Sequence, residues 1–215
     1  MAVNIQTNVA SLEAQKKVSR NQRALQSSFA KLSSGFRVNN ASDDAAGLAI
    51  SESMKSQIRS YTVAERNAGD AVSMAQTAEG ALGEVHEILG RMRELAMQSS
   101  NGGLTSTDRG YINTEFGSLQ AEVTRIQSSA KFNGNKLVNS TASTITFQVG
   151  LNNTASDKIS VTFGGVGFTT LLASTTVLSG AGATASLTAL GRIDSAIATT
   201  SGARSKFGSA MNRLQ

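Results

Sequence analysis

The chain has 215 residues, a net charge of +5, and no Cys, Pro or Trp. Without cysteine it can form neither disulfides nor thiolate metal sites, and without proline a long helix meets no strong interruption. Aromatic residues make up only 5% of the chain, so small-residue packing must dominate. Basic and acidic residues are interleaved, which favours a solvated surface over a nucleic-acid or membrane partner.

The N-terminal segment predicts an amphipathic helix. Its first six residues show neither a basic nor an apolar signal region, and no stretch of the chain approaches the ~20 apolar residues of a membrane span. Gly35 and Asn39-Asn40 supply a stop. The apolar positions, spaced mainly by threes, fours and sevens, are Ile5, Val9, Leu12, Val18, Leu25, Phe29, Leu32 and Phe36.

A second, much longer helix is predicted from about Ser42 to Ser100. Ser42 offers a capping hydroxyl, and Asp43 and Asp44 suit the positive end of a helix dipole. Two seam positions repeat every seven residues over four heptads. They are Ala68, Ala75, Leu82, Leu89 and Ala96, and Ala71, Ala78, Val85 and Met92.

Asn101-Gly102-Gly103 ends this pattern, and a third helix begins at Thr105, with Asp108 replacing the usual capping-box Glu. Its apolar residues alternate fours and threes, which predicts an antiparallel helical hairpin with the second helix. These residues are Ile112, Phe116, Leu119, Val123, Ile126 and Ala130.

Beyond Lys131 the composition changes. A turn is predicted at 132–135, and the alternation in 145–149 and 159–163 predicts a small β-hairpin. Residues 164–186 are rich in small residues without a period, which favours a surface connection. Helical spacing returns at 187–215 despite three glycines, and the absence of a final cap indicates an element that is cut.

No catalytic constellation is present. His86 is the single histidine, which excludes an H-E-x-x-H zinc site, and it is best interpreted as an exposed helical residue. Gly164-Gly165-Val166-Gly167 lacks the Gly-Lys-Ser/Thr of a phosphate loop, and Asp43-Asp44 fit helix-start acids. The chain is therefore predicted to be neither an enzyme nor a cofactor or metal protein.

Four motifs resemble the bacterial flagellins: Asn4–Asn8, the run LSSGFRVNNASDDAAGLAIS at 32–51, RMRELAMQSSNG at 91–102, and Phe132-Asn133-Gly134. Residues 187–215 resemble the start of the family's C-terminal helical region. The resemblance implies a mainly α fold, with long antiparallel coiled-coil-like helices and a small β-hairpin. The expected domains are 1–43 as inner-tube helix, 44–186 as outer-tube domain with a short variable connection, and 187–215 as a C-terminal region truncated before the family's last helix.

By the same resemblance, the chain is expected to be a structural subunit that polymerises into the flagellar filament for motility. Its partners would be copies of itself and the flagellar export and cap proteins, and it would be secreted by the flagellar type III apparatus. Unburied helical seams agree with polymerisation, because a heterologous interface that does not close builds an open helical array. The residues expected to carry assembly are Ile5, Val9, Leu12, Leu25, Phe29 and Leu32.

The resemblance also implies recognition by the host Toll-like flagellin receptor through Arg91, Leu95 and Glu115. A basic, an apolar and an acidic group on adjacent helices can form a protein-binding patch. The alternative is that Leu95 packs internally while the charges are solvated or pair with neighbouring subunits. Gly90 stands where the family often has Gln, a departure that bears on the strength of recognition.

Two other functions stay open. The first helix carries Lys16, Lys17, Arg20 and Arg23 beside its apolar residues, as an interfacial membrane helix would. A hook-filament junction protein is the second alternative, because such proteins share helical ends with flagellin. The match over 32–51 and 91–102 favours flagellin.

Overall fold

The structure, a computed structural model, describes residues 8–168, 178 and 183–215. The chain divides into two compact units, 1–59 and 60–215, and the division falls within the longest helix. The predicted fold class, long helices with a small β-hairpin region, is confirmed. The elements are α1 (Val9–Ser34), α2 (Ala45–Ser99), α3 (Ser106–Ser129), β1 (Lys131–Phe132), β2 (Asn135–Lys136), β3 (Ser143–Gln148), β4 (Lys158–Phe163) and α4 (Ala183–Leu214).

Helix α1 has a defined start and stop but no core of its own. The Asn8 side chain accepts a hydrogen bond from the Ser11 N–H at 3.2 Å, as an N-cap does. Gly35 ends the helix in the left-handed region, at φ 72°, where its N–H donates to the Lys31 carbonyl. None of the 26 residues of α1 is buried.

The start of α2 differs from the sequence prediction. The capping acceptor is Asp44, whose Oδ1 receives the Gly47 N–H at 2.8 Å, and not the hydroxyl of Ser42. Asp43 instead organises the turn before the helix. A carboxylate at this position has both the acceptor geometry and the charge that the positive helix end favours, so it prevails over a hydroxyl two residues earlier.

Asp43 gives the turn a pH dependence. Its carboxylate accepts the Asn39 N–H, pairs with Lys31 at 3.3 Å and accepts the Asn40 N–H, and these contacts lower its pKa from the ordinary 3.8. A lowered pKa contributes stability above pH 3.8 that is lost as the pH falls through the folded-state pKa. We expect the protection of the Asn39 and Asn40 amides against hydrogen exchange, measured by NMR relative to the intrinsic rate, to fall as the pH drops below 3.8. Asp43→Asn should remove this dependence, and an unchanged profile in that variant would contradict the assignment.

In unit 60–215, α2 forms the spine of one hydrophobic core. The heptad positions from Ala71 to Ala96 are buried, so the predicted seam is confirmed over this range, although Ala68 is half-buried. Both partner helices run antiparallel to α2. For α3, Arg109 contacts Ser99 and Glu115 pairs with Arg91, so the order of the contacts along α3 is the reverse of that along α2. For α4, the ion pairs Glu79–Arg204 and Arg93–Asp194 show the same reversal.

The predicted start of α3 is confirmed. The Thr105 hydroxyl accepts the Asp108 N–H at 3.2 Å, and the Asp108 carboxylate accepts the Thr105 N–H at 3.0 Å, which completes a capping box. Asp therefore substitutes for the usual Glu, with its shorter side chain reaching the N-cap backbone.

Arg109 is a buried cation whose role the sequence did not indicate. Its guanidinium donates to the Ser99 carbonyl at 3.0 Å and to the Asn101 carbonyl at 3.0 Å. These carbonyls lie at the C-terminal end of α2, where backbone acceptors lack intrahelical partners and the helix dipole is negative. Arg109 thus fixes the turn between α2 and α3.

Replacing Arg109 with methionine is expected to lower the free energy of unfolding by about 2–3 kcal/mol, because the buried Ser99 carbonyl and the partly buried Asn101 carbonyl lose a charged donor. Thermal denaturation followed by circular dichroism measures the change. Arg125→Met is the matched control, since Arg125 pairs with Glu122 on the exposed face of α3, and should cost less than ~0.5 kcal/mol. If both variants lost the same free energy of unfolding, Arg109 would contribute no more to stability than an exposed arginine.

Two small antiparallel sheets follow α3. The predicted turn is confirmed as the β1–β2 connection, with Asn133 at φ 46° and Gly134 at φ 81°. β3 and β4 form the predicted hairpin, with Ile145 opposite Val161. Phe163 stacks on Phe207 of α4 with ring centroids 5.3 Å apart, so this hairpin closes one side of the core.

The connection after β4 was predicted to be a surface segment, and this is wrong for several described residues. Val166, Phe168 and Leu178 are buried in the core. Gln127 holds the first of these through a hydrogen bond from Nε2 to the Val166 carbonyl at 2.8 Å, and the Leu178 N–H donates to Asn113. These buried residues occur singly along the chain and produce no helical or strand periodicity, so the sequence pattern did not indicate their burial.

Leu178 also belongs to a buried hydroxyl network that connects distant parts of the chain. The Ser99 hydroxyl donates to the Leu178 carbonyl at 3.3 Å, and Ser186 donates to the Ser99 hydroxyl at 3.0 Å. Ser186 lies near the start of α4. The network therefore attaches the first turns of α4 to the C-terminal end of α2.

The predicted last helix is confirmed and begins at Ala183, four residues earlier than Leu187. Its three internal glycines each cost roughly 1 kcal/mol of helix propensity relative to alanine. Tertiary burial outweighs that cost, because one face of α4 enters the core. The buried apolar residues are Ala189, Ile193, Ala196 and Phe207.

Candidate functional site

The first candidate surface is the α1 apolar row, which we define as Val9, Leu12, Leu25, Phe29 and Leu32. Their side chains are 49–79% exposed. These are five of the six residues predicted to carry assembly; the sixth, Ile5, lies outside the described residues. The structure thus places the row on one helix and leaves each of its side chains at least about half exposed.

Exposure of this extent has a large energetic consequence. Fully burying one leucine or phenylalanine is worth about 1.5–3 kcal/mol, and helix propensity alone stabilises even a long helix only marginally in water. Leu25, Phe29 and Leu32 follow the i, i+4, i+7 spacing of one helix face. Burial of these exposed side chains against a partner would stabilise α1.

Sequence analysis missed a second exposed set on the same unit. Ile50, Met54 and Ile58 lie four residues apart at the start of α2, and all are more than half exposed. Their i, i+4 spacing places them on one helix face. The spacing of these three residues is visible in the sequence, but they precede the heptad seam that begins at Ala68 and do not belong to its repeat.

The basic residues that suggested an interfacial helix, Lys16, Lys17, Arg20 and Arg23, are all exposed on α1. No helix within the described ranges has the length and hydropathy needed to span a membrane. Among the same residues no cluster of three or more His, Asp or Glu side chains could hold a metal ion. His86 is half-buried, and its Nδ1 is buried without a hydrogen bond to a described residue, so the prediction of an exposed histidine is wrong.

The second candidate surface is the α2–α3 patch, which we define as Arg91, Glu94 and Glu115. The Arg91 guanidinium donates to Glu115 at 2.8 and 3.0 Å and to Glu94 at 2.9 Å. The hydrogen bond with Glu115, followed by that with Glu94, raises the pKa of Arg91 above its ordinary value. All three side chains are about half exposed or more, so the patch presents an ordered charge triad to solvent.

Leu95 does not share this surface. It is 2% exposed and belongs to the core between the helices. Of the three residues predicted to bind a receptor, the structure brings Arg91 and Glu115 together and places Leu95 beneath the surface. Any contribution of Leu95 to binding must act through the packing of α2 against its neighbours.

Comparison with known proteins identifies the family. Residues 5–143 match the N-terminal helical region of bacterial flagellins. The chain belongs to the bacterial flagellin family. Flagellins are structural proteins, so the prediction that the chain is not an enzyme is confirmed by family membership.

The flagellin relatives include flagellin D of Vibrio cholerae serotype O1, 49% identical over 153 residues, and flagellin C of Vibrio anguillarum, 48% identical over the same length. Each alignment covers 71% of this chain and 41% of the relative. The chain therefore spans well under half the length of these curated flagellins.

Solved flagellin structures share the fold. The crystal structure of Bacillus cereus flagellin superimposes with a TM-score of 0.60 at 32% identity, covering 70% of this chain and 85% of that one. The FliC structure from Burkholderia pseudomallei, at 19% identity, aligns with a TM-score of 0.56 over 66% of this chain and 99% of that one. At that identity the second match supports the fold alone.

Proposed function

We propose that this flagellin-family chain is a structural subunit of a bacterial flagellar filament. It polymerises with copies of itself, reaches the cell exterior through the flagellar type III export apparatus, and works with the flagellar cap. In this proposal residues 1–43 line the inner tube, residues 44–186 build the outer tube, and residues 187–215 begin the C-terminal helical region. The filament is extracellular and serves motility.

The observation that carries the proposal is the exposure of the α1 apolar row, whose side chains are 49–79% exposed. None of the 26 residues of α1 is buried, so this helix lacks the tertiary packing that supplies most helical stability in proteins. Neighbouring subunits in a polymer supply the missing burial, and repeated head-to-tail contacts generate an open helical array. The exposed Ile50, Met54 and Ile58 extend the surface available to such neighbours.

Seeded polymerisation tests the proposal. Filament fragments would be mixed with this chain, or with a version extended by a flagellin C-terminal helix, and growth scored by electron microscopy. Elongation in at least the extended version supports a filament subunit. No elongation with either version, in chains shown to be folded by circular dichroism, would contradict the proposal.

The same experiment separates the hook-filament junction alternative. A junction protein binds a filament end without propagating it, whereas a filament subunit adds repeatedly. Fragments capped at constant length, with this chain present only at their ends, would establish the junction function instead.

We also propose that a Toll-like flagellin receptor recognises the α2–α3 patch. Arg91→Ala removes the donor that orders both glutamates and should reduce receptor activation in a reporter-cell assay at least tenfold, while costing less than ~1 kcal/mol of stability because the pairs are exposed. Arg125→Ala, which breaks an exposed pair elsewhere on α3, is the matched control and should activate normally. If both variants activated the receptor equally, the proposal that the receptor recognises the α2–α3 patch would be wrong.

A further inference from the structure

The hairpin formed by β3 and β4 has an open edge that the filament proposal does not use. Two adjoining cavities, of about 320 and 240 Å³, run between β4 and one flank of α4, and both are lined by Thr162 and Lys206. We call the larger one, with this flank, the β4–α4 groove. Val161 and Ala210 supply its apolar lining, and its polar lining is Ser160, Thr162, Ser205, Lys206, Ser209 and Arg213.

The hydrogen-bond pattern shows which backbone groups face the groove. Val149 N–H donates to the Asp157 carbonyl at 2.9 Å, which makes these two a hydrogen-bonded pair of the hairpin. Hydrogen-bonded pairs alternate along an antiparallel ladder. The backbone N–H and C=O groups of the odd-numbered residues of β4 therefore bond to β3, and those of the even-numbered residues face away from β3. Gly164 follows the same alternation, since its N–H donates at 2.8 Å to Leu137 and not to β3.

Ser160 and Thr162 therefore direct their backbone N–H and C=O groups to the outer edge of β4. No residue in the described ranges hydrogen-bonds to these groups. Their side-chain hydroxyls are already hydrogen-bonded across the hairpin, to Thr146 and Thr144 at 3.0 Å each. The outer edge of β4 thus presents main-chain donors and acceptors in the arrangement that receives another strand.

The charge of the groove selects the kind of strand. Lys206 and Arg213 line it, and neither forms an ion pair with a described residue. No carboxylate lines the larger cavity. Glu65 lies beside Arg213 in a neighbouring cavity and makes no ion pair with it.

We propose that the β4–α4 groove binds an extended acidic peptide segment of another protein, which adds to β4 as a third strand. Main-chain hydrogen bonds to Ser160 and Thr162 would give the affinity, and carboxylates at alternate positions would meet Lys206 and Arg213. A second copy of this chain does not fit, because none of the described strands β1 to β4 contains an acidic residue.

The probe is a synthetic eight-residue peptide that alternates glutamate and threonine, titrated into the full chain and followed by NMR. Amide shifts should concentrate at residues 158–162. A lysine-threonine peptide of equal length should bind at least tenfold more weakly, and so should the acidic peptide with prolines at alternate positions, since proline cannot donate to a ladder.

Two variants test the groove from the protein side. Lys206→Glu with Arg213→Glu should weaken binding at least tenfold, whereas Lys131→Glu with Lys136→Glu changes the net charge equally at exposed residues that do not line either cavity, and should leave binding within twofold. Ser160→Pro removes an outward N–H without breaking a backbone β3–β4 hydrogen bond, although it loses the side-chain contact with Thr146, and should also weaken binding at least tenfold.

Several results would overturn the proposal. They are absence of binding at millimolar peptide, equal binding of the proline-containing peptide, and equal weakening by the Lys131 and Lys136 control. Displacement of the peptide by a few millimolar inorganic phosphate, with shifts at the same amides, would instead make the groove an oxyanion site. Dimerisation in sedimentation without peptide would assign the edge to a second copy.

Discussion

Two aspartates in the α1 apolar row, Phe29→Asp together with Leu32→Asp, are expected to abolish seeded filament growth without destabilising the free chain. Both side chains are more than 60% exposed in the isolated chain, so the free energy of unfolding should change by less than ~0.5 kcal/mol. In a polymer that covers the row, each unpaired buried carboxylate costs several kcal/mol. Electron microscopy of the extended version, seeded with filament fragments, measures the effect.

The matched control places the same two charges on the same helix at polar positions. Ser28→Asp with Ser33→Asp occupies exposed sites in α1 outside the apolar row. This variant should elongate filaments at a rate within a few-fold of the parent. Equal loss of growth in both variants would show that negative charge on α1, and not burial of the row, controls assembly.

Phe163→Ala is expected to give the largest loss of stability, about 3–5 kcal/mol, because it leaves a cavity where β4 packs on α4. Phe163 is completely buried and stacks on Phe207. For a chain of this size each kcal/mol lowers the melting temperature by roughly 2–4 °C. Chemical denaturation monitored by circular dichroism measures the free energy directly.

Phe29→Ala is the control for this substitution. It deletes the same phenyl group from α1, where the ring is 67% exposed, and should change stability by less than ~0.5 kcal/mol. A comparable loss at Phe29 would mean that α1 is buried in the free chain. That result would also weaken the assignment of the α1 apolar row as an assembly surface.

Most of the helices could be predicted because their signals are local. The Thr105–Asp108 capping box depends on residues three apart, and the Asn133-Gly134 turn depends on two neighbours that tolerate positive φ. The apolar seam of α2 repeats over four heptads, so one half-buried position, Ala68, does not change the prediction. Such features need no knowledge of the rest of the chain.

The missed features depend on contacts between distant segments. Arg109 is buried because two carbonyls at the end of another helix accept from it, and no spacing within α3 encodes that. Leu95 was expected in a receptor-binding patch by resemblance to the family, with internal packing as the alternative, and it lies in the core. With α3 on one side and α4 on another, the buried arc of α2 is wider than a two-helix seam, and Leu95 falls inside it.

The buried hydroxyl network at Ser99 bears on the order in which the chain folds. Arg109 and Ser99 are 10 residues apart, whereas Ser99 is 79 residues from Leu178 and 87 from Ser186. Closing a short loop costs less chain entropy than closing a long one, and local contacts form faster. The α2–α3 hairpin should therefore form early, and α4 should dock onto it afterwards.

During synthesis the same order is reinforced, because α4 is made after α2 and α3. Until it docks, the flank of α2 that carries Glu79 and Arg93 lacks its partner helix, and Phe163 lacks the ring of Phe207. A process that prevents residues 183–214 from docking would keep the chain partly folded, with the α4-facing side of α2 uncovered. Control of that one docking step would control when the chain becomes rigid.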